Sequence, residues 1–119
     1  MLKRSLGTTL VALAAAMLAC LPAFADSQAR IVRLSNVEGS VVVDRSSGQG
    51  YEKAFLNMPV VQDMKVATKD GARAEIEFED GSTLRIAPNT LIKFPELALR
   101  DDGTKVSLVR IQEGTVYVN

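Results

Sequence analysis

The 119-residue sequence contains no histidine, no tryptophan and a single cysteine, Cys20. Without histidine, the chain has neither a Ser-His-Asp nor a Cys-His nucleophile system, and it also lacks the usual zinc ligand sets. Aromatic residues make up only 5% of the chain, and its 14 basic and 14 acidic residues balance. Because no basic stripe is interleaved with stacking residues, we expect no nucleic-acid partner. Only carboxylate chemistry remains available to an enzyme.

The beginning of the chain has the features of a secretory signal peptide. The chain starts with a basic pair, Lys3-Arg4, which is followed by the apolar stretch 6–21. The helix-breaking Pro22 and the small residues Ala23 and Ala25 come next. We therefore predict cleavage between Ala25 and Asp26, which divides the chain into a signal peptide, 1–25, and an exported domain, 26–119. The mature protein is then expected to be periplasmic or secreted, with no membrane span.

Two alternatives to this cleavage stay open. An uncleaved anchor is disfavoured because the apolar stretch 6–21 falls short of the roughly 20 residues that span a bilayer. A lipoprotein would carry its lipid on Cys20, but Met17-Leu18 suits that processing site poorly. Cleavage after Ala25 removes Cys20 and two of the 14 basic residues, which leaves 12 against 14 acidic ones and a net charge of −2. The mature domain would then depend on its core alone, without a disulfide.

The rest of the sequence predicts an all-β domain. Apolar residues recur at every second position in short runs bounded by Gly, Asp, Asn or Pro, and no window shows a helical period. The runs predict strands at 30–34, 40–44, 54–57, 64–68, 73–78, 83–87, 91–94, 106–111 and 115–118. The Ser- and Gly-rich stretch 45–53 predicts a flexible surface loop, and 95–105 predicts a second break, with a tight turn at Asp101-Asp102-Gly103.

An acidic residue, a glycine and a hydroxyl residue precede an alternating strand at three places, Glu38-Gly39-Ser40, Asp80-Gly81-Ser82 and Glu113-Gly114-Thr115. Such a recurrence is typical of the stacked coils of a β-solenoid. It is equally typical of ordinary turn chemistry repeated three times, and we favour the second interpretation slightly.

The turn Asp80-Gly81-Ser82 lies between two alternating runs, and its loop length sets the strand register. A two-residue loop would place Ile76 opposite Arg85 and so put charge on the buried face. A three-residue loop, 79–81, pairs Ile76 with Leu84 instead, so that apolar side chains share one face and polar side chains the other. Gly81 then occupies the loop position that needs a positive φ, which glycine adopts without steric cost.

The acidic run Glu75, Glu77, Glu79 and Asp80 is the main candidate for acid–base or metal chemistry. In the three-residue register Glu75 and Glu77 face solvent beside Thr83 and Arg85, so we predict a solvated, charge-paired face instead. Asp70 and 101–103 lack the spacing of a calcium loop, and Gly48-Gln49-Gly50 lacks the third glycine of a phosphate loop. We therefore predict no catalytic residues, no metal ligands and no cofactor.

Three stretches together resemble the FecR domain of bacterial periplasmic proteins: VEGSVVV at 37–43, VATKDGARAEI at 66–76 and FEDGSTLRIAPNT at 78–90. The resemblance extends over about 31–118. It implies an all-β domain of short antiparallel strands in two twisted, solenoid-like sheets, used for protein contact in the periplasm. The sequence departs from the family at Gln62-Asp63, where Gly-Asp is frequent, and it lacks a common upstream tryptophan, for which Phe55 is the nearest aromatic residue.

The resemblance implies a binding role and not catalysis. In iron-transport regulators the domain relays the state of an outer-membrane receptor to a sigma factor, through a membrane span and a cytoplasmic segment, neither of which we expect here. We therefore predict a non-enzymatic, exported binding or scaffold module that contacts a protein or cell-wall partner. The alternative is the periplasmic part of a split signalling regulator. The exposed candidates for partner contact are the loop 45–53, with Tyr51, and the terminal strand 115–118.

Overall fold

The computed structural model describes residues 30–119, and within that range it contains nine strands and no helix. The strands are β1 Arg33–Glu38, β2 Val41–Asp44, β3 Tyr51–Lys53, β4 Lys65–Thr68, β5 Arg73–Glu77, β6 Thr83–Ile86, β7 Thr90–Leu99, β8 Lys105–Glu113 and β9 Val116–Val118. The all-β prediction is confirmed. The proposed processing residues Cys20, Ala23, Ala25 and Asp26 lie outside the described residues.

The strands form two antiparallel sheets. The first, sheet A, has the order β1-β5-β6-β9, and the second, sheet B, has the order β3-β2-β4-β7-β8. The chain crosses between the sheets four times, from β1 into sheet B, from β4 to sheet A, from β6 to sheet B and from β8 back to β9 in sheet A. This repeated crossing gives the solenoid-like arrangement that the resemblance implied.

The core contains one apolar face of each sheet. Leu34, Ile76 and Leu84 of sheet A and Val43, Ile92 and Phe94 of sheet B are all buried within a single apolar cluster. Alternate residues of β2, β5, β6 and the first half of β7 point into this cluster, since side chains in a strand alternate between two faces. The alternation seen in the sequence therefore decides which side of each sheet is buried.

Four crossings between the sheets stack on one another through backbone hydrogen bonds. The Lys69 N–H donates to the Ser40 carbonyl at 3.0 Å, and the Asn89 N–H donates to the Lys69 carbonyl at 3.3 Å. At the last crossing the Ala87 N–H donates to the Thr115 carbonyl at 3.1 Å. Each corner of the chain thus supports the next, as in a short solenoid.

Two buried threonines complete these corners with their side chains. The Thr68 hydroxyl donates to the Ala87 carbonyl at 2.6 Å and accepts from the Thr90 N–H at 3.0 Å. The Thr90 hydroxyl accepts from the Thr115 N–H at 3.1 Å. Because a buried backbone group without a partner destabilises the fold, these hydroxyls allow the chain to change sheets inside the core.

The register predicted around Asp80-Gly81-Ser82 is confirmed. Strand β5 pairs with β6 so that Ile76 lies opposite Leu84. Gly81 has φ +86°, and its N–H donates to the Phe78 carbonyl at 3.0 Å. The three-residue loop therefore has the geometry that the side-chain pattern required.

The prediction of a strand at 54–57 is wrong, and the predicted loop at 45–53 is confirmed only over 45–50. The strand β3 lies inside the predicted loop, at Tyr51–Lys53, where it pairs with β2. The predicted strand is instead a turn, in which the Met58 N–H donates to the Phe55 carbonyl at 3.1 Å and Asn57 has φ +66°. Tertiary pairing with β2 decides the position of this short strand, because all three of its residues are exposed and its local sequence carries no alternating pattern.

The predicted break at 95–105 is also wrong in its first half. Strand β7 continues through Pro95 to Leu99, and Pro95 lies in a register shift between Lys93 and Glu96. A proline is tolerated at such a bulge because it has no N–H to donate to the ladder. The strand then turns Leu97 into the core, where its side chain is 8% exposed. The predicted tight turn at 101–103 does connect β7 to β8.

Candidate functional site

The Asp80 and Asp102 carboxylates stabilise two hairpin turns of the same construction. Each accepts a hydrogen bond at 2.9 Å from the backbone N–H two residues later, that of Ser82 or of Thr104. Bonds from the hydroxyl and the N–H of Ser82 lower the pKa of Asp80, and bonds from Thr104 do the same for Asp102. These carboxylates therefore satisfy their own turns and are not poised for acid–base chemistry.

The acidic residues on the outer face of sheet A are paired with neighbouring side chains. Glu75 accepts a hydrogen bond from the Ser35 hydroxyl at 2.8 Å and lies 3.2 Å from Arg85 Nε. Glu77 lies 2.7 Å from a guanidinium nitrogen of Arg33 on β1. This is the charge-paired surface that the strand register predicted, and no group of acidic residues within 30–119 has an arrangement that suits a metal ion.

The fourth member of the acidic run, Glu79, belongs to a cluster that the sequence did not reveal. The Arg30 side chain donates to both carboxylate oxygens of Glu79, at 2.8 and 3.3 Å. It also donates to the Ala98 and Val106 carbonyls, at 3.1 and 2.8 Å, and to the Ser107 hydroxyl at 2.6 Å. One arginine thus joins the β5–β6 turn of sheet A to the β7–β8 hairpin of sheet B.

This cluster lines a surface pocket with a volume of about 340 Å³. Burial raises the pKa of Glu79, but the hydrogen bonds from Arg30 and the charges of Arg30 and Lys105 outweigh burial and lower it overall. A general acid needs the opposite, a raised pKa. Because the guanidinium of Arg30 is already bonded on every nitrogen, the cluster acts as a clamp between the sheets.

The exposed apolar residues concentrate near the edges of the sheets. Tyr51 on the edge strand β3 is 49% exposed, and Phe55, Leu56 and Val61 in the loop that follows are each about half exposed. Arg45 forms an ion pair with Glu52 at 2.8 Å and lies over the Phe55 ring at 6.0 Å. We call the segment 45–61 the β3 edge; it combines free strand backbone with aromatic and aliphatic side chains.

The opposite end of the molecule has a second set of free edges, formed by β8 and β9. Leu108 and Ile111 on β8 and Tyr117 and Val118 on β9 are between 47% and 80% exposed. Of the two predicted contact regions, the loop at 45–53 thus lies on the β3 edge and the terminal strand lies at this second end. The structure does not bring them together.

A family model described as FecR protein matches residues 64–119, the part of the chain that holds β4 to β9 and three of the four stacked corners. No curated protein and no solved structure matches the chain significantly. Within residues 30–119, no helix has the length and apolar character needed to cross a membrane. The FecR family is regulatory and non-enzymatic. Residues 64–119 of this chain are therefore similar to the FecR family, in agreement with the resemblance that the sequence carries.

Proposed function

We propose that this protein is an exported, non-enzymatic binding module, which contacts a protein or cell-envelope component in the periplasm through the β3 edge. The observation that carries the proposal is the composition of this edge. Tyr51 and Phe55 expose about half of their surface beside a short edge strand. Aromatic residues of this kind supply most of the binding energy in many protein interfaces.

The other observations support a binding role because they argue against a catalytic site. The carboxylates of the acidic run are engaged in turns, on a paired surface or in the Arg30 clamp. The sequence contains no histidine, which removes the most frequent general base. An open strand edge, in contrast, is a common site at which an extended segment of another protein adds a strand.

A photocrosslinking experiment in the envelope tests the proposal. A photoreactive phenylalanine analogue is placed at position 51 or, in a matched variant, at position 117, which is an exposed tyrosine on the other terminal edge strand. We expect position 51 to crosslink one envelope component that position 117 does not reach. A Tyr51→Ser variant is then expected to lose this component without a lower melting temperature.

The outcomes also separate the proposal from its alternative. Crosslinks from position 117 alone would move the contact to the β9 edge, and no crosslink from either position would overturn the proposal. The FecR family match favours a second candidate, the periplasmic part of a split signalling regulator. An inner-membrane protein as the crosslinked component, together with a transcriptional response that Tyr51→Ser abolishes, would support that candidate.

A further inference from the structure

Three cationic side chains lie side by side on the outer face of sheet B. Lys65 of β4 is paired with Lys93 of β7, and Lys93 is paired in turn with Arg110 of β8. Directly paired residues of antiparallel strands share a face, and neighbouring strands lie about 4.8 Å apart. The three residues therefore form one row across three strands, which we call the cationic row.

The two lysines of the cationic row point away from the core. Lys93 stands between Ile92 and Phe94, which are fully buried, and Lys65 follows Met64, which is also fully buried. Since successive side chains of a strand point to opposite faces, both lysines point outward. Both are nevertheless half-buried. An anion is bound more strongly at such partly dehydrated charges than on open surface.

The fold alone gives no reason for this row. Like charges directly opposite each other destabilise an antiparallel pair, and the row contains two such pairs. Within residues 30–119, none of the three side chains lies within 4.0 Å of a carboxylate oxygen. On sheet A, by contrast, Glu75 is paired with Arg85 and Glu77 with Arg33. A feature that weakens the sheet without a local gain is expected at a binding site.

The carboxylates on the same side of the sheet do not neutralise the row. Asp44 lies opposite Lys65 on β2, but one of its oxygens accepts a hydrogen bond from the Ser46 N–H at 2.8 Å. Glu113 lies opposite Leu91, in the next row of the sheet. The three cations of the row thus outnumber the two carboxylates that border it.

We propose that the cationic row binds a phosphate group, with Lys93 at the centre and Lys65 and Arg110 on either side. A phosphate monoester carries about −1.5 to −2 charges at pH 7 and three acceptor oxygens, so it offers one oxygen to each cation. A carboxylate offers two oxygens and a single charge, which leaves one cation unmatched. The arginine supplies a fork of N–H donors, and each lysine supplies a compact positive charge.

A phosphate titration of the exported protein, followed by two-dimensional NMR of its backbone amides, tests the site. Sodium chloride is lowered as phosphate is raised so that the ionic strength stays constant, because salt screens exposed charges. We expect saturable changes in chemical shift on β4, β7 and β8 around the cationic row. Lys93→Gln should weaken phosphate binding by at least about tenfold, since it removes a hydrogen bond to a charged group.

The matched control is Arg73→Gln, which removes one positive charge from an exposed residue of sheet A. This variant is expected to bind phosphate as the wild-type protein does. Thermal melts without phosphate give an independent readout of the row. Lys93→Gln should melt at the same temperature as the wild-type protein or higher, because it removes two like-charge pairs. Its weaker binding is then not the result of a lost fold.

A second set of measurements identifies the source of the phosphate group. Vesicles of phosphatidylcholine with and without phosphatidic acid are sedimented with the protein. Vesicle binding that depends on Lys93 would point to a lipid headgroup, and phosphate binding alone would point to a soluble anion; either result supports the site. The proposal is overturned if neither probe binds, or if Arg73→Gln weakens binding as much as Lys93→Gln. Crosslinking from position 51 is scored separately, so failure of this site leaves the proposal for the β3 edge standing.

Discussion

At the residue scale, Gly114 is fixed by contact as well as by conformation. It has φ +92°, and a Cβ atom built there would lie 2.6 Å from the Thr90 Cα, a distance that real Cβ atoms do not show. Backbone cannot move aside as a flexible side chain does. The glycine therefore allows β8 to pass close to the start of β7 at the last corner.

We expect Gly114→Ala to lower the free energy of unfolding by more than about 2 kcal/mol, because it adds a clash to the strain of a positive φ. The matched control is Gly48→Ala, at φ +84° with no atom within 4 Å of the added methyl group. That variant carries the conformational strain alone, about 1 kcal/mol. Urea denaturation measures the free energy of unfolding of both variants. Equal losses of this free energy would show that the corner at Gly114 has room for a side chain.

The ion pair between Arg30 and Glu79 predicts a dependence of stability on pH. Both side chains are nearly buried, 9% and 12% exposed, and the pKa of Glu79 is lowered from its ordinary value of 4.5. A lowered pKa in the folded state adds stability at pH values above 4.5, and this contribution disappears as the pH falls through the folded-state pKa. The wild-type protein should therefore lose an acid-sensitive part of its stability below about pH 4.5.

Glu79→Gln tests this contribution. We expect this variant to lower the free energy of unfolding by about 1.5 to 3 kcal/mol at pH 7, which is the usual value of a hydrogen bond to a charged group. At pH 3 the loss should be clearly smaller. Glu38→Gln, on an exposed residue, serves as the control and should change the free energy of unfolding little at either pH. If Glu79→Gln lowered the free energy of unfolding equally at pH 7 and at pH 3, the result would contradict a stabilising role of the Glu79 charge.

At the scale of elements, the sequence was sufficient to predict the structure where the contacts that determine it are local. The β5–β6 register followed from Gly81 and from the alternation on each side of it. The strand β3 and the continuation of β7 through Pro95 depend on partners distant in the chain. The same holds for the Arg30 clamp, which joins residues 49 positions apart. No local pattern could have indicated these features.

The β5–β6 register makes a sharp prediction about its two faces. Ile76 is fully buried, so we expect Ile76→Asp to unfold the domain by burying a charge in the core. Glu75 lies on the opposite face beside Arg85, so Glu75→Ala should cost about 1 kcal/mol or less. Melting temperatures followed by circular dichroism distinguish the two, and similar values for both variants would contradict the register.

At the scale of the whole molecule, the stacked corners explain why one recurring motif has two uses. Glu38-Gly39-Ser40 and Glu113-Gly114-Thr115 lie where the chain crosses between the sheets, whereas Asp80-Gly81-Ser82 closes a hairpin within sheet A. Gly39, like Gly114, has a positive φ and meets the backbone of another corner, that of Ala72. Both interpretations of the repeat were therefore partly right, because the same turn chemistry builds solenoid corners and hairpins.

The position of Arg30 also bears on processing of the whole chain. Cleavage after Ala25 would leave Asp26 as the first residue and keep Arg30, so the clamp on Glu79 would survive export. Because the small residues Ala23 and Ala25 form the cleavage site, we expect mass spectrometry of the exported protein to give a chain that begins at Asp26. An Ala25→Phe variant, which spoils the small-residue cleavage site, should accumulate as the longer precursor. A lipid-bearing chain that begins at Cys20 would also keep Arg30, but it would place the protein on a membrane surface and contradict cleavage after Ala25.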